Sequence, residues 1–307
     1  MYYFIVNNSS RTGKGKKLWA DIKKKLDEKK LEYKAEFTTI EYGAEKIVQE
    51  ICEKDSDVKT IVIVGGDGTA DAVVNGIKDR KNVILGLIPT GSGNDLARGM
   101  GISQKFETAV DRVINPKQIK KMDIGQAESL DGAFNRKFAV SSGIGYDAET
   151  CYVADRSKMK KFLNKIGLGR LVYFLIGFKE IFANKPAECT ITLDGVRKLH
   201  YKKLVFAANM NVVYEGGGMP MGPHADPYDG KVTACIVHDI SKMRHLFLMP
   251  TILKGNHIKR KNIEEITART IEIETDRPMI VHTDGEFAGR SSHITFSCCP
   301  DKVRMMV

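Results

Sequence analysis

Short apolar runs alternate with amphipathic stretches through the first third of the chain. The apolar runs lie at 2–6, 33–39, 60–64 and 83–89. They predict strands, and the unbroken run at 60–64 is typical of a strand that is buried on both faces. Apolar residues recur at helical spacing in 16–30 and 44–53, and a third helix is predicted over 70–77. Together they predict a parallel sheet with helices on both faces.

The pattern changes after residue 124, where strand-like runs follow one another with little helix between them. Such spacing predicts an antiparallel sandwich, interrupted by one helix over 156–183. We therefore predict an α/β domain with a parallel sheet over 1–124 and a mostly antiparallel β-sandwich domain over 125–293. A last strand, at about 294–307, is predicted to return to the first domain.

Composition places the chain among ordinary globular proteins. It has 307 residues, of which 42% are hydrophobic and 28% charged, and this length favours two domains. Its six cysteines have no CxxC spacing, so they outline neither a zinc site nor a disulfide framework and favour a reducing compartment. The sequence shows neither a secretory signal nor an apolar run long enough to span a bilayer, which predicts a cytoplasmic protein.

The formal net charge of +10 narrows the range of partners. Basic residues cluster at 14–30, 158–165 and 254–261, and solvated helix faces account for a large part of this charge. The remaining positive charge is typical of proteins that bind nucleic acid, phosphate-bearing small molecules or an anionic membrane surface. Because no helix-turn-helix, zinc-finger or RNA-binding pattern accompanies the lysines, we expect no nucleic-acid partner.

Polar loops follow all four predicted strands of the first domain. Residues 7–11 follow the first strand, Thr38 ends the second, GGDGT (65–69) follows the third, and 89–95 follows the fourth. The carboxyl ends of parallel strands meet at one edge of a sheet. Backbone N–H groups in glycine-rich loops, hydroxyls and a helix N-terminus form an anion site there. The sequence therefore predicts a polyphosphate site.

Three aspartates, Asp67, Asp95 and Asp123, lie at or just after strand ends. Near a polyphosphate these carboxylates require bound magnesium, a cation that prefers oxygen ligands. Asp95 taken alone is explained more simply as a helix cap. No GxxxxGK[ST] motif is present and no GxGxxG opens a helix, which excludes the P-loop and Rossmann fingerprints.

The motifs together resemble the diacylglycerol kinase catalytic-domain family, and most of all its soluble bacterial lipid kinases. GGDGT is followed by PTGSGNDLA (89–97), MDIG (122–125), YEGGGM (214–219) and HTDGE (282–286) in the family's order. GGDGT alone also occurs in NAD kinases and phosphofructokinases, whereas its combination with GSGND and a late DGE is specific. The resemblance covers nearly the whole chain and implies an NAD kinase/diacylglycerol kinase-like fold.

This resemblance implies ATP-dependent phosphorylation of the free hydroxyl of diacylglycerol or a related neutral lipid, giving phosphatidic acid. It implies that Glu286 is the base, and that Asp67, Asp95 and Asp123 organise water and the catalytic magnesium. The implied ATP site comprises Asn7, Asn8, Ser9, Ser10, Arg11, Thr38, Gly65, Gly66, Asp67, Gly68, Thr69, Ala70, Asp71, Ala72 and Ser92.

The resemblance also implies a structural magnesium in the second domain. Its ligands would be Asp226, Asp229 and, through a backbone oxygen, Lys231. The chain departs from the family at two places in the ATP site. Asp71-Ala72 stands where Asn-Glu is frequent, and Asn8 and Arg11 replace a frequent proline and glycine.

Two other functions are compatible with the same motifs. One is an NAD kinase-like or other small-molecule kinase, and the other is a non-catalytic nucleotide-binding membrane regulator. The complete GSGND and DGE order favours a lipid kinase, and the presence of Asp67 and Glu286 argues against lost catalysis.

A soluble enzyme with a lipid substrate has to meet a membrane surface. Residues 156–182 mix basic and apolar side chains, which predicts peripheral docking on an anionic bilayer. The basic residues expected to dock are Lys158, Lys160, Lys161 and Lys165. A buried helix over 171–182, packed on the second domain, explains the apolar part of this segment equally well. The sequence leaves the oligomeric state open, a homodimer included.

Overall fold

The computed structural model describes residues 1–7, 15–54, 57–157 and 169–307. The chain folds into two compact units, one formed by Met1–Ile124 with Pro300–Val307 and the other by Gly125–Cys299. Within the described residues, no helix is both long enough and apolar enough to cross a membrane.

The first unit is built on a six-stranded sheet. Its strands are β1 (Tyr2–Val6), β2 (Tyr33–Phe37), β3 (Lys59–Gly65), β4 (Val83–Pro89), β5 (Ile119–Met122) and β15 (Val303–Met306). They lie in the order β2-β1-β3-β4-β15-β5. Every neighbouring pair is parallel except β15 and β5. The predicted parallel sheet is confirmed, with one antiparallel strand at its edge.

In the part of the first unit that the structure describes, five helices accompany this sheet. They are α1 (Gly15–Glu28), α2 (Ala44–Glu53), α3 (Asp67–Gly76), α4 (Asp95–Gly99) and α5 (Phe106–Ile114). Ile22 of α1 and Val110 of α5 pack into one apolar cluster with Phe4 and Val62. Right-handed crossovers place α2 and α3 on the other face. These two helices meet at Gly76, where a Cβ atom would lie 2.5 Å from the Glu45 carbonyl oxygen.

The second unit is an antiparallel sheet of nine strands. They are β6 (Gly125–Ser129), β7 (Asn135–Phe138), β8 (Ser141–Gly145), β9 (Ala187–Leu193), β10 (Arg197–Met210), β11 (Val232–His238), β12 (Ile263–Ala268), β13 (Thr270–Thr283) and β14 (Glu286–Cys298). The order is β12-β11-β10-β8-β13-β14-β6-β7. The long strands β10 and β13 pair with β8 at one end and with β9 at the other. The predicted antiparallel β-rich domain is confirmed.

Within the described residues, three helices pack on one face of this second sheet. They are α6 (Tyr146–Arg156), α7 (Gly169–Ala183) and α8 (Lys242–Ile252). Ile236 of β11 points into the apolar core among the strands, whereas Val237 packs with Ile181 of α7 and Leu248 of α8.

The helix predicted over 156–183 is confirmed in its second half, where α7 occupies Gly169–Ala183. Its predicted start is wrong, because Arg156 is the last residue of α6. Residues 158–168 of the prediction lie outside the described residues. α8 was not predicted, because Pro250 lies inside it and Phe247 on its outer face is apolar, so helical periodicity is weak.

Candidate active site

The carboxyl ends of β1 to β4 lie side by side at one edge of the first sheet. Val6 is paired with Phe37 on one side and with Val64 on the other, and Gly65 is paired with Pro89. After β1 the chain forms β2 on one side of β1, and it then crosses back to form β3 on the other side. Open α/β sheets bind ligands at such a switch point.

Polar groups of separate loops are hydrogen-bonded to each other at this edge. Asn7 Nδ2 donates to Thr69 Oγ1 at 3.0 Å, which joins the end of β1 to the first turn of α3. The Thr38 N–H donates to the Val6 carbonyl oxygen at 3.0 Å. Four further residues predicted for the ATP site, Asn8, Ser9, Ser10 and Arg11, lie outside the described residues.

The GGDGT motif is mostly helix. Gly66 is the N-cap of α3, and the helix begins at Asp67 instead of at residue 70. Gly68, Thr69, Ala70, Asp71 and Ala72 therefore lie in its first two turns. The N-terminus of a helix carries a partial positive charge and directs N–H groups outward, which suits a phosphate group. The glycine-rich turn is therefore shorter than predicted, and the first residues of α3 occupy the rest of the motif.

The two glycine-rich motifs touch through their backbones. A Cβ atom on Gly66 would lie 2.8 Å from Gly91 Cα, and one on Gly91 would lie 2.5 Å from Gly66 Cα. Asn94, with a φ of 56°, accepts from the Gly91 N–H at 2.9 Å and donates back to the Gly91 carbonyl at 3.0 Å. Exposed Ser92 lies in this same loop. The sequence needs glycine here because two backbones pack in contact.

Asp67 and Asp95 are neighbours at this edge. Asp67 Oδ1 accepts from the backbone N–H of Leu96 at 3.1 Å, which ties α3 to α4. Asp95 is the first residue of α4 and is buried, with its Oδ1 3.7 Å from Arg98 Nε. The structure thus brings together two of the three aspartates predicted to organise magnesium.

The third aspartate, Asp123, lies elsewhere in the first unit. β5 runs opposite to β4, since Met122 pairs with Val303 while Arg304 pairs with Ile84 near the start of β4. At about 3.3 Å per residue, Asp123 lies roughly 20 Å along the sheet from the loops. There its buried carboxylate forms an ion pair with Lys302 Nζ at 3.0 Å. The expected proximity to Asp67 and Asp95 is therefore wrong, and the geometry gives Asp123 a structural partner.

Glu286 is held by a tight turn in the second unit. It is exposed at the start of β14 and pairs with Thr283 of β13. Asp284 and Gly285 connect the strands with φ of 49° and 86°, as a type I′ hairpin requires. The Asp284 carboxylate accepts three backbone N–H bonds, from residues 139, 140 and 141, at 2.8, 2.8 and 2.9 Å. The turn that carries Glu286 is thus anchored to the strand beside it.

A buried polar network lies directly behind this turn. His282 Nε2 is 2.7 Å from Asp147 Oδ2 and 3.5 Å from Glu215 Oε1. Ser141 Oγ donates to Glu215 Oε1 at 2.6 Å, and the Gly285 N–H donates to His282 Nδ1 at 3.1 Å. The sequence gives His282 no ligand-like spacing and favours a structural role for it, and it assigns no role to either carboxylate. Glu215 lies in the YEGGGM motif, but nothing in the sequence marks Asp147.

The carboxylates determine the charge of His282. Burial alone would lower its pKa, but Asp147, Glu215 and Asp284 outweigh this and raise the pKa. The hydrogen bond from the Gly285 N–H opposes this rise in the pKa, because it requires an unprotonated Nδ1. Side-chain donor atoms of Asp147, Cys151 and His282 lie within 4.8 Å of one another. The direct Asp147–His282 bond accounts for this grouping without a metal ion.

The loop before β11 contains the ligands predicted for a structural magnesium. Asp226 and Asp229 are exposed, and one oxygen of each accepts from the backbone N–H two residues later, at 3.0 and 2.9 Å. The Lys231 carbonyl accepts from Cys298 Sγ at 3.3 Å. This all-oxygen donor set fits the preference of Mg²⁺.

Both units match known protein families. Residues 1–127 match the model described as the diacylglycerol kinase catalytic domain. Residues 139–307 match that of the YegS C-terminal NAD kinase beta sandwich-like domain. The chain belongs to the diacylglycerol kinase catalytic-domain family. This is a lipid kinase family with an NAD kinase-like fold, so the predicted fold class is confirmed.

Individual relatives of this kinase extend over its whole length. It is 28% identical over 297 residues to a Bacillus subtilis (strain 168) protein named "Putative lipid kinase YtlR", with 94% of each chain covered. The structure of "a putative diacylglycerol kinase from Bacillus anthracis str. Sterne" has a TM-score of 0.77 at 24% identity, covering 99% of this chain and 96% of that one. An ATP complex of an Archaeoglobus fulgidus NAD kinase has a TM-score of 0.54 at 14% identity, covering 100% and 94%. These two likenesses show a shared fold.

A Gly66→Ala substitution is expected to destabilise the kinase and weaken nucleotide binding. The added methyl group would force the Gly66 and Gly91 backbones apart, and overpacking of this kind costs about 1–3 kcal/mol. Gly43→Ala is the matched control, because a Cβ atom there meets nothing within 4 Å. Thermal unfolding and ATP titration of both variants test this. If both variants had the same unfolding temperature and the same ATP affinity, the contact between the two motifs would contribute to neither stability nor nucleotide binding.

The buried network predicts a pH-dependent stability. The folded pKa of His282 is raised, so the stabilisation by its positive charge is complete below the unfolded value of about 6.5 and is lost as pH rises through the folded pKa. The free energy of unfolding of wild type minus that of His282→Gln should therefore shrink between about pH 6 and pH 9. Denaturant unfolding at several pH values measures this difference, and a constant value would contradict the assignment.

Proposed function

We propose that the protein transfers the γ-phosphoryl group of ATP to the free hydroxyl of diacylglycerol or a related neutral lipid. With diacylglycerol the product is phosphatidic acid. The observation that carries the proposal is the junction of the GGDGT and GSGND motifs at the carboxyl edge of the first sheet. The family description names diacylglycerol kinase, and a relative that covers 94% of the chain is named "Putative lipid kinase YtlR".

The first unit supplies groups suited to a nucleotide triphosphate. Phosphate oxygens would bind at the N-terminus of α3, beside Asn7 and Thr69, which are already hydrogen-bonded to each other. Asp67 and Asp95 offer carboxylate oxygens for Mg²⁺, which would neutralise charge on the phosphates. Holding these loops in fixed positions is most of what phosphoryl transfer asks of a protein.

The second unit supplies a base. In the proposed reaction the Glu286 carboxylate takes the proton of the acceptor hydroxyl as its oxygen bonds to the γ-phosphorus. The bond from that phosphorus to the oxygen of the leaving ADP breaks in the same step. The exposed position of Glu286 makes the carboxylate accessible, and the three N–H bonds to Asp284 fix the turn beneath it. A base must be held within hydrogen-bond reach of the proton that it removes.

A labelling assay tests the proposed function. Purified full-length protein is incubated with γ-labelled ATP and with diacylglycerol, ceramide, sphingosine or NAD, and the products are separated by thin-layer chromatography. We expect label in phosphatidic acid and loss of labelling when Mg²⁺ is chelated. Label in phosphorylated NAD would favour the small-molecule kinase, and nucleotide binding without any turnover would favour the regulator.

The site of action follows from the substrate. A long-chain diacylglycerol stays in the bilayer, so the proposed enzyme acts as a peripheral protein at a membrane surface. The basic composition of the chain, with a net charge of +10, supports an anionic surface.

A further inference from the structure

Exposed large apolar side chains are concentrated on two neighbouring helices of the second unit. The described residues include fourteen such side chains, and six of them belong to α7, α8 and the residue after α8. They are Leu175, Phe178, Phe182, Met243, Phe247 and Leu253, with exposed fractions between 44% and 71%. Single exposed apolar residues are ordinary, but a group of six indicates an interaction surface.

The six side chains lie on the outer side of these helices. The inner sides pack into one apolar cluster, to which α7 contributes Ile181 and α8 contributes Leu248 and Ile252. The helices are in contact, since Lys242 Nζ of α8 donates to the Phe182 carbonyl oxygen of α7. Because both inner sides cover the same face of the sheet, both outer sides point away from it together.

Lysines and arginines are frequent in the same two helices and in the segment after α8. Residues 241–262 contain six lysines and arginines and not one aspartate or glutamate. Lys179 of α7 and Lys254 after α8 are both exposed. Apolar side chains beside lysines and arginines are the combination that binds the interface of an anionic bilayer. A second copy of the chain fits less well, because a two-fold interface would bring together two copies of this basic patch without acidic partners.

We propose that the outer sides of α7 and α8 dock the protein on an anionic lipid bilayer, and this inference rests on the proposed lipid kinase function. Phe178 and Phe247 insert among the lipid chains, and the lysines and arginines of the same segments bind the headgroups. The surface differs from the one predicted from sequence, because α8 and the residue after it contribute half of its apolar side chains. Lys158, Lys160, Lys161 and Lys165, on which the sequence prediction relied, lie outside the described residues.

Vesicle co-sedimentation tests the surface with three double variants. Phe178→Gln with Phe247→Gln removes apolar contact, and Lys179→Glu with Lys254→Glu reverses charge. Leu130→Gln with Val196→Gln makes the same apolar-to-polar change at exposed turns elsewhere in the second unit. Each protein is mixed with phosphatidylcholine vesicles with and without about one third phosphatidylglycerol. Thermal unfolding checks that all variants fold.

The wild type should bind the anionic vesicles, and the phenylalanine variant should bind them at least about tenfold more weakly. The affinity of the lysine variant should fall at least about tenfold, and only for the anionic vesicles. The control variant should bind both kinds of vesicle as the wild type does. Undiminished binding by the phenylalanine variant would overturn the proposal. So would a wild-type dimer that this variant converts to a monomer without any change in vesicle binding.

A second measurement separates this inference from the proposed function. All variants should phosphorylate a short-chain, water-dispersed diacylglycerol within about twofold of wild type, because none of the changed residues belongs to the site. A wild type that phosphorylates this substrate but does not bind vesicles would refute docking alone. Vesicle binding without phosphorylation of any lipid would refute the proposed function and leave the docking surface in place.

Discussion

Replacement of Glu286 by glutamine is expected to lower kcat by about 10²- to 10⁴-fold, the usual contribution of a general base. The amide cannot accept the proton of the acceptor hydroxyl, although it keeps the size of the carboxylate. ATP affinity should not change, because Glu286 belongs to the second unit and the loops proposed to bind phosphate belong to the first. Steady-state kinetics and calorimetric titration with ATP measure the two effects separately.

Glu274→Gln is the matched control for this variant. Glu274 is also an exposed strand glutamate of the second unit, on β13, and its substitution should leave kcat unchanged. Both variants should unfold close to the wild-type temperature, since neither side chain is buried. If ATP affinity fell as much as kcat in Glu286→Gln, the residue would belong to the nucleotide site instead.

Local patterns were enough to predict most of the first unit. The unbroken apolar run of β3 and the helical spacing of 44–53 depend on neighbours in the sequence, and α2 occupies the predicted residues. The start of α3 was misplaced because glycines 65, 66 and 68 suggest a turn, whereas only the first two precede the helix. A helix can begin at Asp67 because Gly66 caps it in an extended conformation.

The features that could not be predicted from the sequence depend on contacts between residues far apart in the chain. The direction of β5, and with it the position of Asp123, is visible only in its pairing with β15 at the far end of the chain. His282 and Asp147 are 135 residues apart, and no spacing rule connects them. The outer side of α8 was missed for another reason, because apolar residues on both sides of a helix hide its period.

The contact between Asp67 and Leu96 changes how Asp67 has to be tested. If the only role of Asp67 were to attract magnesium, Asp67→Ala would abolish transfer and leave the fold intact. The structure shows that the carboxylate also accepts the Leu96 N–H and so holds α4 against α3. Alanine would remove this hydrogen bond together with the charge, at a cost of about 0.5–1.5 kcal/mol. A loss of activity in that variant would therefore have two explanations.

Asp67→Asn separates the charge from the hydrogen bond. The amide oxygen of asparagine can still accept the Leu96 N–H, while the negative charge that would attract Mg²⁺ is lost. We expect Asp67→Asn to unfold at the wild-type temperature and yet to lose at least about 10²-fold in kcat, as is typical when charge stabilisation at a reaction centre is removed. Asp67→Ala should lose as much activity and also unfold at a lower temperature. Retention by Asp67→Asn of more than about a tenth of the wild-type kcat would show that Asp67 serves only to join the two helices, and the proposed assignment of Mg²⁺ to Asp67 would then be wrong.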